Sequence, residues 1–358
     1  MTTTRRCPHC FSVIDSEKCH MGCSNERCTR GREVDIERCA LLGVDPDGPN
    51  AVITRYHIVR DGKVCDICGS PLRMRLCPKC HHRISMKMSV DNLKTVMFLA
   101  PHNCGLSHYM TSLVKVMYNI AKNEFNGTFK PADSTVRDCM EKQYFCYINN
   151  GLVIPSSKSP PEPMVYSLSC GKNGDLTLIF VDVACDGYGM PKLDRGSDIE
   201  GMILDSSGII LLVDPESEKT TKASMNILSH ITDLYKDSDR IDKFGNISVP
   251  LAVTLAKIDL LSTGEKPLLG PWSAINIGRL PGTVDDISFG QIDVEIREIV
   301  KRLSGECMME LTDSYKENMF FAVSAIGYNP VDGHLSNGIE PFRVEDPLIW
   351  LLGRNNYE

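Results

Sequence analysis

Four closely spaced cysteine pairs are the residues of this chain whose type and spacing most directly imply chemistry. Cys65-x2-Cys68 and Cys77-x2-Cys80 are separated by eight residues, an arrangement in which two thiolate knuckles close a tetrahedron round a soft divalent ion such as zinc. A second set lies upstream: Cys7-x2-Cys10 and Cys23-x4-Cys28, with Cys19 and His20 just before the latter pair. Cys7, Cys10, Cys23 and Cys28 are the expected ligands there, and Cys19 is their rival. This gives two structural zinc modules in succession, over residues 1–45 and 55–88. All-cysteine ligand sets leave no open position for catalysis. A segment of roughly forty residues buries too little apolar surface to fold unaided, so the metal substitutes for a core. Cys39, Cys104, Cys139, Cys146, Cys170 and Cys307 read as ordinary thiols.

Phosphate binding is the second chemistry. After the apolar run Val96 to Leu99 comes Ala100-Pro-His-Asn103-Cys104-Gly105-Leu106-Ser107, which leads straight into a helical pattern. Strand, loop and helix in this order form a phosphate loop, whose backbone N–H groups and helix N-terminus hold the anion. Gly105 and Ser107 fit, with Ser107 placed to bind magnesium, and Ala100 stands at the first glycine position. Leu106 occupies the place of the lysine that neutralises the outer phosphates. Three further elements follow in order. Asp182 ends the run Leu178 to Val181 and is placed to hold magnesium through water, but Cys185 follows where a glycine is expected. Ala256-Lys257-Ile258-Asp259 matches a guanine-reading Asn/Thr-Lys-x-Asp pattern except at its first position. Ser324-Ala325 closes the last apolar run, where an alanine N–H meets the guanine oxygen.

The elements that must position these residues are legible in the apolar periodicity. Short apolar runs at Val96–Leu99, Leu176–Val181, Gly208–Val213, Val249–Leu255 and Met319–Val323 alternate with helical patterns. Met110, Leu113, Met117 and Ile120 share one helix face, as do Ile227, Leu228, Ile231 and Leu234, and Ile292, Ile296, Ile299 and Leu303. A last helix starts at Asp346-Pro347. The pattern predicts an α/β domain over 93–358 with a mainly parallel, helix-covered sheet of the P-loop type. Residues 154–163 and 263–286 read as loops.

The 46 acidic and 39 basic residues leave a net charge of −7, which argues against binding to nucleic acid or membrane through charge alone. Ten of the 16 cysteines precede residue 81, and there is no apolar signal segment or run near twenty residues. A reducing, cytoplasmic setting is therefore expected, with cysteines as metal ligands and not disulfides.

Taken together, the chain resembles the TRAFAC-class bacterial GTPases of the "double-GTPase" type, in which two N-terminal zinc modules precede a G-domain. The resemblance rests on Ser107-His108-Tyr109 after the loop, Cys-Ser-Asn-Glu-Arg-Cys at 23–28, Val213-Asp214-Pro215, and Val344-Glu-Asp-Pro-Leu-Ile-Trp-Leu-Leu352. It implies GTP or GDP with magnesium as ligands, and a magnesium-holding switch residue for which Ser157 is the matching position. It also implies a bacterial conflict or defence setting, with a second GTPase or a large protein as partner. The departures at Leu106, Cys185 and Ala256 point to a catalytically impaired GTPase acting as a regulatory or scaffolding subunit. An active GTPase completed by a partner's arginine, and a zinc-ribbon adaptor for nucleic acid, are the alternatives.

Overall fold

The computed structural model describes the chain outside residues 1–3, 8, 11, 16–17, 26–27, 29–32, 42, 55, 85–92, 133–135, 138–139, 141–143, 155–162, 170–174, 186–197, 263–268, 270–272, 277–285, 336–337 and 355–358. It divides into two compact units, Met1–Leu93 and Lys94–Glu358. No helix among the described residues is long and apolar enough to cross a membrane.

The first unit is built from very short strands. β1 (Thr4–Arg6) and β2 (Val13–Asp15) form an antiparallel pair. β3 (His20–Cys23), β4 (His57–Val59), β5 (Met74–Leu76) and β6 (Arg83–Ile84) form an antiparallel sheet in the order β4-β3-β5-β6. The only helix described in this unit is α1 (Ile36–Leu41), whose entry is fixed by Asp35 Oδ1 accepting the Arg38 N–H at 2.9 Å. Strand β3 belongs to the upstream cysteine segment, yet both its neighbours come from the downstream one: Met21 lies opposite Val59 on one side and Arg75 on the other. One strand of residues 1–45, β3, thus shares a sheet with β4, β5 and β6 of residues 55–88, while β1 and β2 pair with each other. Strands of this length cannot sustain a sheet on backbone pairing alone, so what joins them must come from side chains.

The second unit carries a seven-stranded sheet ordered β13-β12-β11-β7-β10-β9-β8. Its strands are β7 (Leu93–Pro101), β8 (Phe129–Pro131), β9 (Met164–Ser169), β10 (Asp175–Cys185), β11 (Gly208–Val213), β12 (Leu251–Leu255) and β13 (Asn318–Ala322). β7, β11, β12 and β13 run parallel, while β8, β9 and β10 are joined by antiparallel pairing. The five expected apolar runs lie in β7, β10, β11, β12 and β13. β12 starts two residues later than the run does, because Pro250 has no N–H for the ladder and contributes only its carbonyl, to Ile209 N at 3.0 Å.

Every residue of β11 and β12 is buried, as strands covered on both faces require. Alternation divides β7 between the two layers. Val96, Phe98 and Ala100 join the core formed with α2 (Leu106–Asn123) and α9 (Asp346–Arg354). The helix α5 (Glu218–Asp237) packs on β11, and α7 (Asp286–Ser304) packs on β13. The remaining described helices are α3 (Phe145–Asn149), α4 (Asp198–Leu204), α6 (Asp259–Ser262) and α8 (Glu306–Thr312). α5 opens on a capping box in which Ser217 and Thr220 exchange side-chain-to-backbone bonds. At Gly208 a Cβ would sit 2.8 Å from the Leu351 side chain, so this glycine lets α9 lie against the start of β11.

Candidate functional site

The eight expected metal ligands come together, but in a different pairing. Cys7, Cys10, Cys77 and Cys80 form one group, and Cys23, Cys28, Cys65 and Cys68 the other. The sequence expectation, with each set closing on itself, is corrected on this point. The Cys-x-x-Cys spacing fixes which two thiols share a turn but not which second turn they meet; β3, inserted between β4 and β5, brings the upstream Cys23 to the downstream segment, and Cys7 and Cys10, between β1 and β2, meet Cys77 and Cys80. Sulfur separations are 3.5 Å for Cys7–Cys80, 3.6 Å for Cys10–Cys77, 3.6 Å for Cys23–Cys68 and 3.8 Å for Cys28–Cys65. A tetrahedron with bonds of about 2.3 Å has edges of about 3.8 Å, so both groups could hold a metal ion.

Backbone N–H groups of His9 and Lys79 point at Cys7 and Cys77 Sγ, each at 3.4 Å, and soften the sulfur charge. The first group is fully buried, whereas Cys28 and Cys68 of the second are half-buried. Cys19, the rival ligand, is buried beside the first group but directs its thiol to the Asp15 carbonyl at 3.7 Å. Among the other thiols, Cys39 and Cys104 are buried and Cys146 and Cys307 exposed; Cys139 and Cys170 lie outside the described residues.

In the second unit the C-terminal ends of β7, β11, β12 and β13 converge on a cavity of about 200 Å³. It is lined by Asn103 to Gly105, His108, Lys257, Asp259, Ser324 and Ala325 of the expected site. Ala100, Leu106, Ser107 and Asp182 do not line it. Ser157 lies outside the described residues. The loop after β7 turns tightly, with Asn103 at φ 66° and Gly105 at φ 88°, left-handed values that these two residue types tolerate best. Cys104 N–H closes the turn on the Pro101 carbonyl at 3.3 Å. Burial, with the nearby Asp214 carboxylate, raises the Cys104 thiol far above its ordinary range, so it stays protonated and is no nucleophile.

Leu106, in place of a lysine, is 5% exposed and belongs to the apolar core under the sheet. Ser107, one residue on, supplies its carbonyl to the Thr111 hydroxyl at 2.6 Å.

Lys257 is the one cation among the described residues lining the cavity, and it is already engaged. Its Nζ lies 2.9 Å from Asp214 Oδ2 and 2.6 Å from Glu216 Oε2. The local backbone explains this. Ala256 N–H bonds to Val213 O on one side and Ile258 N–H to Val323 O on the other. Lys257 between them takes φ 51°, and its side chain meets the end of β11. This strained conformation costs an L-residue about 1 kcal/mol or more. Asp214 is 1% exposed and also accepts the Glu216 N–H at 2.9 Å. The sequence marks Asp214 only as part of the Val213-Asp214-Pro215 segment that carries the resemblance, and gives no sign that it and Glu216 would hold Lys257.

Two residues on, the Asp259 carboxylate is oriented by the Ser324 hydroxyl, 2.5 Å away, which in turn accepts the Gly327 N–H at 2.8 Å. The Ser112 hydroxyl donates to the Ala325 carbonyl at 2.8 Å and ties this segment to α2. A carboxylate so held, beside the apolar walls of Val153 and Val323, can accept paired N–H donors from a flat ligand. Asp182, on β10, has its carboxyl pushed up to about 6 by burial.

His108, on the first turn of α2, accepts the Ile154 N–H at Nε2 at 2.9 Å, which places the proton of the neutral ring on Nδ1. Burial lowers its pKa to about 4. A histidine depressed in the folded state binds fewer protons than in the unfolded chain, so its contribution is intact above about pH 6.5 and is lost as pH falls toward 4. We expect a loss of order 2 kcal/mol between pH 7 and 4.5, absent in His108→Gln, which keeps an acceptor without the titration. Urea unfolding followed by tryptophan fluorescence checks this, since Trp272 and Trp350 both belong to the second unit. An unchanged pH dependence in the variant would refute it.

No protein-family model and no curated protein matches the chain.

Proposed function

We propose that the second unit is a G-domain-like guanine-binding unit that has lost most of its phosphate chemistry, and that the protein works as a regulatory or scaffolding partner and not as an efficient GTPase. In this reading the two tetracysteine groups carry structural zinc. The thiol donor set and the near-tetrahedral sulfur separations support zinc, a soft-ligand ion that needs no further chemistry here.

The single observation that carries the proposal is that the phosphate-lysine position holds a buried leucine and that the cavity's lysine, which belongs to the guanine-reading pattern, is not free to replace it. Leu106 is packed into the core, and Lys257 is held by two carboxylates. Strand order adds support. The first strand of the unit, β7, lies inside the sheet, with the later parallel strands β11 to β13 on one side of it and β10 on the other. Ligands of open α/β sheets bind beyond the strand ends at such a switch point. Asp259 with Ser324 and Ala325 supplies the base-reading half, while the loop from Asn103 to Gly105 offers backbone N–H groups but no side-chain charge. With Lys257 already paired to Asp214 and Glu216, a bound triphosphate would meet no free lysine among the described residues lining the cavity, so hydrolysis lacks the stabilised developing charge that phosphoryl transfer requires.

Titration with fluorescent GTP and GDP, with and without magnesium, tests the proposal. The wild-type chain is expected to bind weakly, with little gain from magnesium. Leu106→Lys should tighten GTP by about tenfold or more, the worth of a charge-assisted phosphate contact. Because Leu106 is buried, the variant's melting curve must accompany the titration. Tight, magnesium-dependent binding by the wild type would overturn the proposal.

A further inference from the structure

A second cluster of chemically capable side chains sits in the first unit, apart from the eight thiols. Asp35, Glu37 and His81 offer ligand atoms that all lie within 4.8 Å of one another, and they line a cavity of about 280 Å³. Carboxylates grouped in this way are common without any ion, so the imidazole of His81 is what gives the cluster meaning. The His81 side chain is 7% exposed, and its Nδ1 lies 2.8 Å from Asp35 Oδ1. Its other nitrogen, Nε2, is buried and has no hydrogen-bond partner among the described residues. Nδ1 of His20 is in the same condition, on a ring whose centroid is 5.5 Å from that of His81. Native structures rarely leave a buried ring nitrogen unpaired, and His81 is both in this condition and one of the residues lining the cavity.

We propose that Asp35, Glu37 and His81 hold a divalent first-row cation. The oxygen and nitrogen donors make this a harder site than either tetracysteine group. Its elements are rigidly placed: Asp35 is fixed by its bond to Arg38 N, and His81 directly follows Cys80, with its own N–H bonded to the Cys77 carbonyl at 3.0 Å. Glu37 is the adjustable ligand. It pairs with Arg60 at 2.6 Å, and the two side chains are 43% and 71% exposed, so either can turn away at little cost. Three protein ligands leave coordination positions open toward the cavity, unlike the closed thiolate sets.

The test uses the full-length chain carrying two zinc ions, titrated with cobalt(II) and followed by equilibrium dialysis and visible absorption. One further equivalent of cobalt should bind, giving weak d–d bands without sulfur-to-cobalt charge transfer in the near ultraviolet. His81→Gln and Glu37→Gln should each weaken this equivalent by at least about tenfold while retaining both zinc ions. Arg60→Ala, which only removes the competitor for Glu37, should tighten it about two- to fivefold. If either ligand variant loses zinc and so fails to fold, the Arg60 variant still decides. No saturable third equivalent, cobalt entering only with thiolate charge transfer, or an affinity untouched by these substitutions would overturn the proposal.

Discussion

Serine at both Cys10 and Cys77 should cost the chain one metal ion, whereas serine at both Cys65 and Cys77 should cost it two. The first pair of substitutions falls within one tetracysteine group and leaves the other complete. The second removes one thiol from each group, so that neither can close a tetrahedron. Metal counting after gel filtration reads the difference, and the reverse pattern would restore the pairing in succession that spacing alone suggests. The same geometry fixes the scale of metal removal. Structural zinc contributes about 10–16 kcal/mol in small domains, more than the about 5–15 kcal/mol by which whole domains are stable. A strong chelator is therefore expected to unfold residues 1–93 outright. Tryptophan emission, which reports only on the second unit, should remain unchanged.

Lys257→Met is the second substitution with a large expected effect, about 2–3 kcal/mol of lost stability. The loss arises less from the lysine's own bonds than from what remains: Asp214, 1% exposed, becomes a buried carboxylate without its cation. Glu216 is 61% exposed and contributes little, as surface pairs do. Adding Asp214→Asn should return most of the loss, and the coupling from the double-mutant cycle measures the pair directly. Burial by itself would lower the pKa of Lys257, but hydrogen bonds to Asp214 and Glu216 outweigh it and raise the value above 10.5. A raised lysine pKa gives stability that is complete below that ordinary value and is lost only as pH rises past the folded one. The penalty of the variant should therefore be the same at pH 7 and pH 9. Urea titrations showing no cost, or no recovery with Asn at 214, would rule out the clamp.

The parallel half of the sheet was legible because strands buried on both faces must be continuous apolar runs, and Gly208–Val213 and Leu251–Leu255 are such runs. β8 and β9 were not. Phe129–Pro131 is three residues long, and Ser167 and Ser169 dilute the apolar signal of β9. Their strand character comes from pairing, Phe129 against Leu168 and Tyr166 against Leu178, and not from local preference. The identity of the metal ligands could likewise be read from cysteine spacing, but their partnership could not, since it depends on which downstream turn each upstream pair meets. In the cleft, Lys257 and Asp259 stood out by motif. That Lys257 would turn to Asp214, 43 residues earlier, follows only from its φ of 51° and the adjacency of β11 and β12.

The crossed thiol pairs also set a timetable for the chain during its synthesis. Cys7 and Cys80 are 73 residues apart, so the first group cannot be completed until the ribosome has released the last of its ligands. At roughly 5–20 residues per second, Cys7 and Cys10 would wait about 4–15 s as open thiols, and the second group would be complete before the first. Had each segment bound its own ion, the N-terminal ion could have been captured once Cys28 emerged. Instead the nascent segment depends on its surroundings to keep those thiols reduced and unmetallated until residue 80 arrives, and truncation anywhere before that point leaves the Cys7 group unable to close.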